Sequence, residues 1–132
     1  MPDIIKTWPA VTDARTVAEI FSASAPPFCR YYFTLGRGKP KENVDRIWYT
    51  WRGRILGWFE IEKIVVNDGS LPRLSSLSGE ESAWQIRKDA KVAICLPPCH
   101  RIRERVFMSG FRGWRYFNFE EYSQTSEARH RF

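Results

Sequence analysis

The segment from 45 to 66, DRIWYTWRGRILGWFEIEKIVV, constrains the fold of this 132-residue chain more than any other. It consists of two arms, rich in aromatic and β-branched side chains, which flank Arg52-Gly53. Aromatic and β-branched residues favour strands, and glycine tolerates the positive φ that a two-residue β-turn requires. The segment is therefore predicted to form a β-hairpin.

Both arms alternate between two faces, with the period of two residues that is typical of half-buried strands. In the first arm, one face carries Ile47, Tyr49 and Trp51, and the other carries Trp48 and Thr50. In the second arm, Ile55, Phe59 and Ile61 alternate with Trp58, Glu60 and Glu62. Gly57 interrupts the second arm, which predicts a bulge or a close approach of two backbones.

The remaining elements indicate a small β-rich domain. Strands are predicted at 29–35, at 91–96 (ended by Pro97-Pro98) and at 100–108, and helices at about 13–23 and 118–128, the second capped by Asn118. Residues 67–82 are predicted to form a long loop. The fold class is therefore α+β: a single domain, 1–132, in which a small mixed β-barrel (about 29–117) carries peripheral helices near both termini.

Positive charge is concentrated in two separate segments. Residues 30–54 carry seven bases and two acids, a net +5, and residues 100–117 carry five bases and one acid, a net +4, in a chain of net charge +6. If folding brings the two segments together, they form a positive face that attracts phosphates. The alternative is a generally basic, well-solvated surface.

The stretch MSGFRGWRYF, 108–117, combines four aromatic residues, two arginines and two glycines. Proteins that bind single-stranded nucleic acid stack aromatic rings or guanidinium planes on bases and use cations to follow the phosphates. The alternative is structural, since Phe111, Tyr116 and Phe117 fit the core of a small barrel. Trp48 and Trp58 pose the same choice: they face solvent, or a peripheral helix covers them.

The cysteines and the length of the apolar runs bear on cellular location and on metal binding. An odd number of cysteines fits a reducing compartment, and no apolar run approaches the ~20 residues that span a bilayer. We therefore expect a cytoplasmic protein with no membrane partner. Cys95, Cys99, His100 and Cys29 suggest zinc, but the second C-x₂₋₄-C pair is missing, so we predict buried reduced cysteines, no metal and no cofactor.

The hairpin, together with VAICL at 92–96, resembles the PUA-like superfamily, in particular its ASCH and EVE relatives. The shared pattern is hhGhhxhxxh, with h apolar, which residues 55–64 follow as ILGWFEIEKI. The resemblance implies a five- or six-stranded pseudobarrel whose cleft binds RNA or modified bases. It also implies hydrolase activity on RNA or nucleosides as a second function to consider. The early G-x-K-x-x-E-x-R motif of ASCH domains has no counterpart here, so no catalytic residue is carried over.

These observations predict a nucleic-acid-binding module for RNA or a modified nucleotide, with single-stranded or modified nucleic acid as partner. Arginines would meet phosphates and aromatic rings would hold a base. The predicted site residues are Trp48, Arg52, Arg54, Arg112, Trp114, Arg115 and Tyr116. The first alternative is a small RNA or nucleoside hydrolase in the same cleft, with Glu60, Glu62 or Lys63 as acid–base groups. The second is a protein-interaction domain whose tryptophans form the contact surface.

Overall fold

The computed structural model describes residues 2–8, 14–15, 31–35, 38, 40, 43–68 and 89–129. The strands are β1 (Asp3–Thr7), β2 (Tyr31–Thr34), β3 (Arg46–Trp51), β4 (Arg54–Val66), β5 (Lys91–Arg101) and β6 (Trp114–Phe117), and the helices are α1 (Phe119–Ser123) and α2 (Ser126–Arg129). Of the helix predicted at 13–23, only Ala14 and Arg15 are described, and both are helical. Of the loop predicted at 67–82, the structure describes Asn67 and Asp68, and the rest lies outside the described residues.

The six strands form one mixed sheet in the order β2-β5-β4-β3-β1-β6. The β1–β3 pair is parallel, and the other four pairs are antiparallel. A mostly-sheet domain with two short helices agrees with the predicted α+β class. Within the described residues, β2 and β6 are the two edges and no pairing joins them, so closure of the sheet into a barrel is not shown.

Strand β1 inserts between β3 and β6, and the sequence did not predict it. Its central residues Ile4 and Ile5 are fully buried on opposite faces of the sheet. A five-residue strand is too short to show a clear alternating pattern, and its pairing with β3 and β6 on either side makes it a strand. Because β1 connects β3 to β6, it determines how the hairpin lies relative to the segment 108–117.

The predicted hairpin is confirmed, with β3 and β4 joined at Arg52-Gly53. Both turn residues have positive φ, 51° at Arg52 and 82° at Gly53, as a type I′ turn requires. Such a turn matches the right-handed twist of the strands. It makes Trp51 and Arg54 direct cross-strand partners.

Gly57 combines the two features predicted for it. The register of β3 and β4 shifts between Tyr49 and Thr50, because Tyr49 pairs with Gly57 and Thr50 pairs with Ile55. A Cβ on Gly57 would lie 2.1 Å from the carbonyl oxygen of His100 in β5. The bulge also corrects one prediction, since it turns Ile55 to the face opposite Phe59.

Strand β5 continues through Pro97-Pro98, where the sequence predicted that it would end. Trp58 pairs with His100 and Glu60 pairs with Leu96, so 97–99 bulge opposite the single residue Phe59. Prolines are tolerated at such bulges, and β2 pairs with β5 only at 92–95, which leaves the proline region paired on one side. The second strand predicted at 100–108 is wrong beyond Arg101, because 102–113 is largely irregular.

The C-terminal helix predicted at 118–128 is two short helices. The side chain of Asn118 accepts a hydrogen bond from Glu121 N (3.1 Å), which confirms it as the cap of α1. The second helix begins after Thr125, whose Oγ1 accepts from Ala128 N (3.2 Å). No helix in the described part of the chain has the length and apolar character needed to cross a membrane.

Two clusters of buried side chains lie on opposite faces of the sheet. The first contains Ile4, Leu35, Ile47, Tyr49, Phe59, Ala93, Cys95 and Cys99. The second contains Ile5, Trp48, Ile55, Val106, Met108, Phe117 and Ala128. Segment 105–111 and the two C-terminal helices supply part of the second cluster, so they cover that face of the sheet.

Candidate nucleic-acid interface

The segment that follows β5 runs beside the tip of the hairpin. Met108 N donates to Gly53 O (3.0 Å), Ile55 N donates to Val106 O (2.8 Å), and Ile102 N donates to Leu56 O (3.0 Å). These bonds fix 101–108 along 53–57. The two basic segments of the sequence, 30–54 and 100–117, therefore meet at the tip of the hairpin.

The bonds gather arginines at one end of the sheet, which we call the arginine end. It comprises Arg52, Arg54, Arg101, Arg103, Arg105 and Arg112. All six are exposed except Arg54, which is half-buried. Arg112 belongs to this end because Phe111 N donates to Thr7 Oγ1 (3.0 Å), and Thr7 pairs with Thr50 immediately before the turn. Glu104 is the one acid between 101 and 116.

Arg115 lies on β6, away from the tip. It pairs with Ile5, and its guanidinium carbon is 4.1 Å from the ring centre of Phe111. This is a cation–π geometry, with the side chain exposed to solvent. Arg115 therefore contributes charge beside the arginine end while its stem and plane pack on an aromatic ring.

Trp48 is buried, with 4% of its surface exposed. For this residue, the alternative in which a peripheral helix covers the ring is therefore correct. Its ring stacks on Phe119 of α1 at 4.6 Å with an interplanar angle of 6°, and its Nε1 donates to Asp3 Oδ2 (2.9 Å). The neighbouring Trp58 is half-buried between the guanidinium of Arg46 (4.3 Å) and the ring of His100 (3.8 Å). With one ring face occupied by Phe119, Trp48 has a packing role in this structure.

The two aromatic residues predicted on β6 differ in exposure. Trp114 is half-buried, and its Nε1 donates to Gly38 O (2.8 Å), which ties β6 to the chain before β3. Tyr116 is 45% exposed and meets Trp114 edge to face at 5.2 Å. Of the three aromatic residues predicted to hold a base, Tyr116 is the most exposed.

A groove of about 530 Å³ lies at the opposite end of the same strands. It surrounds the first residues of β1 and β3 and the end of β6, roughly 17 Å from the turn at the ~3.3 Å rise of each strand residue. Its lining is Pro2, Asp3, Arg46, Trp48, Tyr116, Phe117, Asn118, Phe119, Glu120 and Glu121. Three carboxylates and one arginine line it, so the groove is aromatic but not basic.

The predicted basic, aromatic cleft is thus divided between two places. Trp48 and Tyr116 belong to the groove, while Arg52, Arg54 and Arg112 belong to the arginine end. Arg101, Arg103 and Arg105 were not among the site residues predicted from the sequence. The alternating arginines in HRIRERV, residues 100–106, were the sequence signal that could have identified them. The proximity of these arginines to the turn became visible only with the pairing of 101–108 with 53–57.

In the part of the chain that the structure describes, the cysteines and the candidate acid–base residues do not converge on one centre. Cys95 and Cys99 are buried and free, burial raises the pKa of both thiols, and Cys99 Sγ contacts Trp58 O at 3.5 Å. Cys29 lies outside the described residues, and within those residues no three His, Cys, Asp or Glu side chains are grouped for a metal ion. Glu60, Glu62 and Lys63, the candidate acid–base groups, are exposed along β4.

Comparison with known proteins adds no relative. The chain matches no protein-family model, no curated protein and no solved structure. The assignment of a function therefore rests on the chemistry of this chain.

Proposed function

We propose that this protein binds nucleic acid, in particular single-stranded RNA, through the phosphates, and that the arginine end is the binding surface. The observation that carries the proposal is the backbone pairing of 101–108 with 53–57, which places five of the six arginines around one end of the sheet. The bond from Phe111 N to Thr7 Oγ1 brings Arg112 to the same end. Guanidinium groups suit phosphate oxygens because they present several N–H donors in a fixed plane.

The charge balance of this end supports a polyanion as partner. Within 101–116 a single acid accompanies five arginines, and Arg52 and Arg54 add two more positive charges at the turn. A solvated surface of a globular protein usually mixes both signs, whereas a surface of one sign attracts an oppositely charged partner over several ångströms. Binding through phosphates is largely independent of base sequence, so we expect weak base preference.

The groove has a secondary place in this proposal. Tyr116 is the exposed ring beside it and is the candidate for holding a base. Asp3, Glu120 and Glu121 would repel phosphates there. We infer that phosphates are held at the arginine end and that the groove does not bind the backbone of the nucleic acid.

We also propose that the domain is a PUA-like pseudobarrel. A six-stranded mixed sheet, in which an N-terminal strand is inserted, is compatible with such a pseudobarrel. Two buried free cysteines are compatible with the reducing cytoplasm that we propose as its location.

The two alternatives gain less support. The hydrolase hypothesis needs a buried carboxylate near a base, and Glu60, Glu62 and Lys63 are exposed. The protein-interaction hypothesis needs exposed tryptophans. Within the described residues, the exposed large hydrophobic side chains are Val66 and Tyr116, which does not amount to a tryptophan patch.

The test is a titration of labelled 20-nucleotide RNA, DNA single strand and DNA duplex, followed by fluorescence anisotropy between 50 and 200 mM salt. With about four to six phosphates neutralised on RNA, log K should fall with log salt at a slope of about −3 to −4. The double variant Arg103→Gln/Arg105→Gln should weaken binding at least about tenfold, through lost phosphate contacts.

The matched control is Lys63→Gln/Lys91→Gln, which removes two charges from β4 and β5 away from the arginine end. Lys91 pairs with Val66, at the far end of the strand from Arg101. This control should bind nearly as wild type. Absence of binding to all three nucleic acids at 50 mM salt, or an equal loss in the control, would refute the proposal.

A further inference from the structure

Two buried N–H groups at the tip of the hairpin meet no acceptor. Within the described part of the chain, Trp51 Nε1 and Arg54 Nε are inaccessible to solvent and make no hydrogen bond. Proteins seldom leave buried donors unsatisfied, because each has lost its hydrogen bonds to water without replacement. Two neighbouring buried donors without acceptors therefore suggest that a ligand supplies the missing acceptor.

The two donors belong to neighbouring side chains. Trp51 and Arg54 are cross-strand partners that close the type I′ turn at Arg52-Gly53. Side chains of directly opposed residues project from the same face, with Cβ atoms about 5 Å apart. One acceptor group with two oxygens is therefore of the right size to meet both nitrogens.

The surroundings favour an acceptor that carries negative charge. Arg54 is itself cationic, and the exposed guanidinium of Arg52 lies 4.3 Å from the ring centre of Trp51. Arg101 pairs with Gly57, three residues further along β4, and adds a charge to the same end. Three cationic side chains around two buried donors favour an acceptor that itself carries negative charge, because charge-assisted hydrogen bonds are the stronger ones.

We propose that Trp51 and Arg54 form a phosphate subsite at the hairpin tip, in which the indole Nε1–H and the guanidinium Nε–H donate to oxygens of one phosphate. The exposed side chain of Arg52, which covers the Trp51 ring, turns outward to admit the phosphate and then contacts it. This inference rests on the proposed function and deepens it, because it names the position where the phosphate is held by directional hydrogen bonds. The remaining arginines act through charge.

Charge-preserving substitutions separate the two modes of binding. Arg54→Lys keeps the positive charge and removes the Nε–H, and Trp51→Phe keeps an aromatic ring and removes the indole N–H. Each should weaken RNA binding about tenfold at 100 mM salt through loss of a charge-assisted hydrogen bond. The control Arg46→Lys, at an exposed arginine at the opposite end of β3, should stay within about twofold, since it lies outside the arginine end and a lysine still provides the charge.

Direct observation of the indole N–H makes the test independent of RNA binding. In ¹H–¹⁵N spectra, inorganic phosphate and pyrophosphate should shift the Trp51 indole signal in the wild type and should not shift it in the same way in Arg54→Lys. Thermal melting of each variant confirms that it is folded. If Trp51→Phe is not folded, the Arg54→Lys and Arg46→Lys pair decides the question.

The failure of this inference is distinguishable from failure of the proposed function. RNA binding that Arg54→Lys weakens no more than Arg46→Lys does, with no phosphate-induced shift at Trp51, overturns the subsite and leaves the proposed function intact. A phosphate-induced shift in a protein that binds no nucleic acid supports the subsite for a free phosphate group and overturns the proposed function.

Discussion

Gly57 is a position in β4 where a single added methyl group should strongly perturb the sheet. Its Cβ would lie 2.1 Å from His100 O and 2.9 Å from Arg101 Cα, and both are backbone atoms of β5. Real Cβ atoms essentially never approach closer than 3.0 Å, so the strands must separate by at least 0.9 Å (3.0 − 2.1). No rotation of a side chain can relieve this overlap. We therefore predict that Gly57→Ala separates β4 from β5 at this point.

The expected loss of stability follows from the contacts at the separation. Two backbone hydrogen bonds beside Gly57 are worth about 1 kcal/mol each, and the stacked Trp58–His100 pair (3.8 Å) about 0.5–1.5 kcal/mol. Strain from overpacking adds about 1–3 kcal/mol. The smaller entropy of the unfolded alanine variant returns about 0.4–1 kcal/mol. The net destabilisation is about 2.5–6 kcal/mol, a large share of the ~5–15 kcal/mol typical of domains.

Urea denaturation measures this loss. With a slope of about 1.5 kcal/mol per molar urea, the midpoint of Gly57→Ala should fall by roughly 1.7–4 M. The matched control is Gly110→Ala, at an exposed glycine without positive φ whose Cβ would meet only the Thr7 side chain, at 3.1 Å. It should change stability by less than about 1 kcal/mol. A loss below about 1 kcal/mol for Gly57→Ala, or one equal to that of Gly110→Ala, would show that the backbone approach does not constrain the sheet.

Two further predictions concern a buried hydrogen bond and the response to alkaline pH. Asp3→Ala leaves the Nε1–H of buried Trp48 without its acceptor and should destabilise the protein by about 1–3 kcal/mol in urea denaturation. Asp3→Asn keeps an acceptor oxygen, so an equal loss in that variant would contradict the assignment. Burial raises the pKa of Cys95 and Cys99 above 9.0, so their contribution is complete below pH 9.0 and is lost as pH rises further. Stability should therefore fall above pH 9.0 by up to about 1.4 kcal/mol per pH unit for each thiol. Cys95→Ala/Cys99→Ala should flatten this slope, while the raised pKa of Tyr49 and the lowered pKa of Lys6 act in both proteins; an unchanged slope would contradict the role of the thiols.

The candidate site was predictable from sequence in its residue types but not in its arrangement. The charge pattern indicated two basic segments, and the structure brings them together at Gly53 and Met108. The pattern could not place Arg103 and Arg105 beside the turn, because an isolated run of alternating arginines does not reveal its neighbour. It also could not separate Tyr116 from the arginine end, since that depends on the direction in which β6 pairs with β1.

Local chemistry by itself determined the hairpin, its turn and the cap of the C-terminal helix. Arg52-Gly53 supports a tight turn, alternating residues define two faces, and Asn118 satisfies free N–H groups within three residues. Each of these depends on neighbours in the chain. Tertiary structure decided the rest: the insertion of β1, the passage of β5 through two prolines, the face of Ile55 after the bulge, and the burial of Trp48 under Phe119. The physical reason is that the energy of these features comes from hydrogen bonds and packing with partners distant in the sequence, which short-range patterns do not contain.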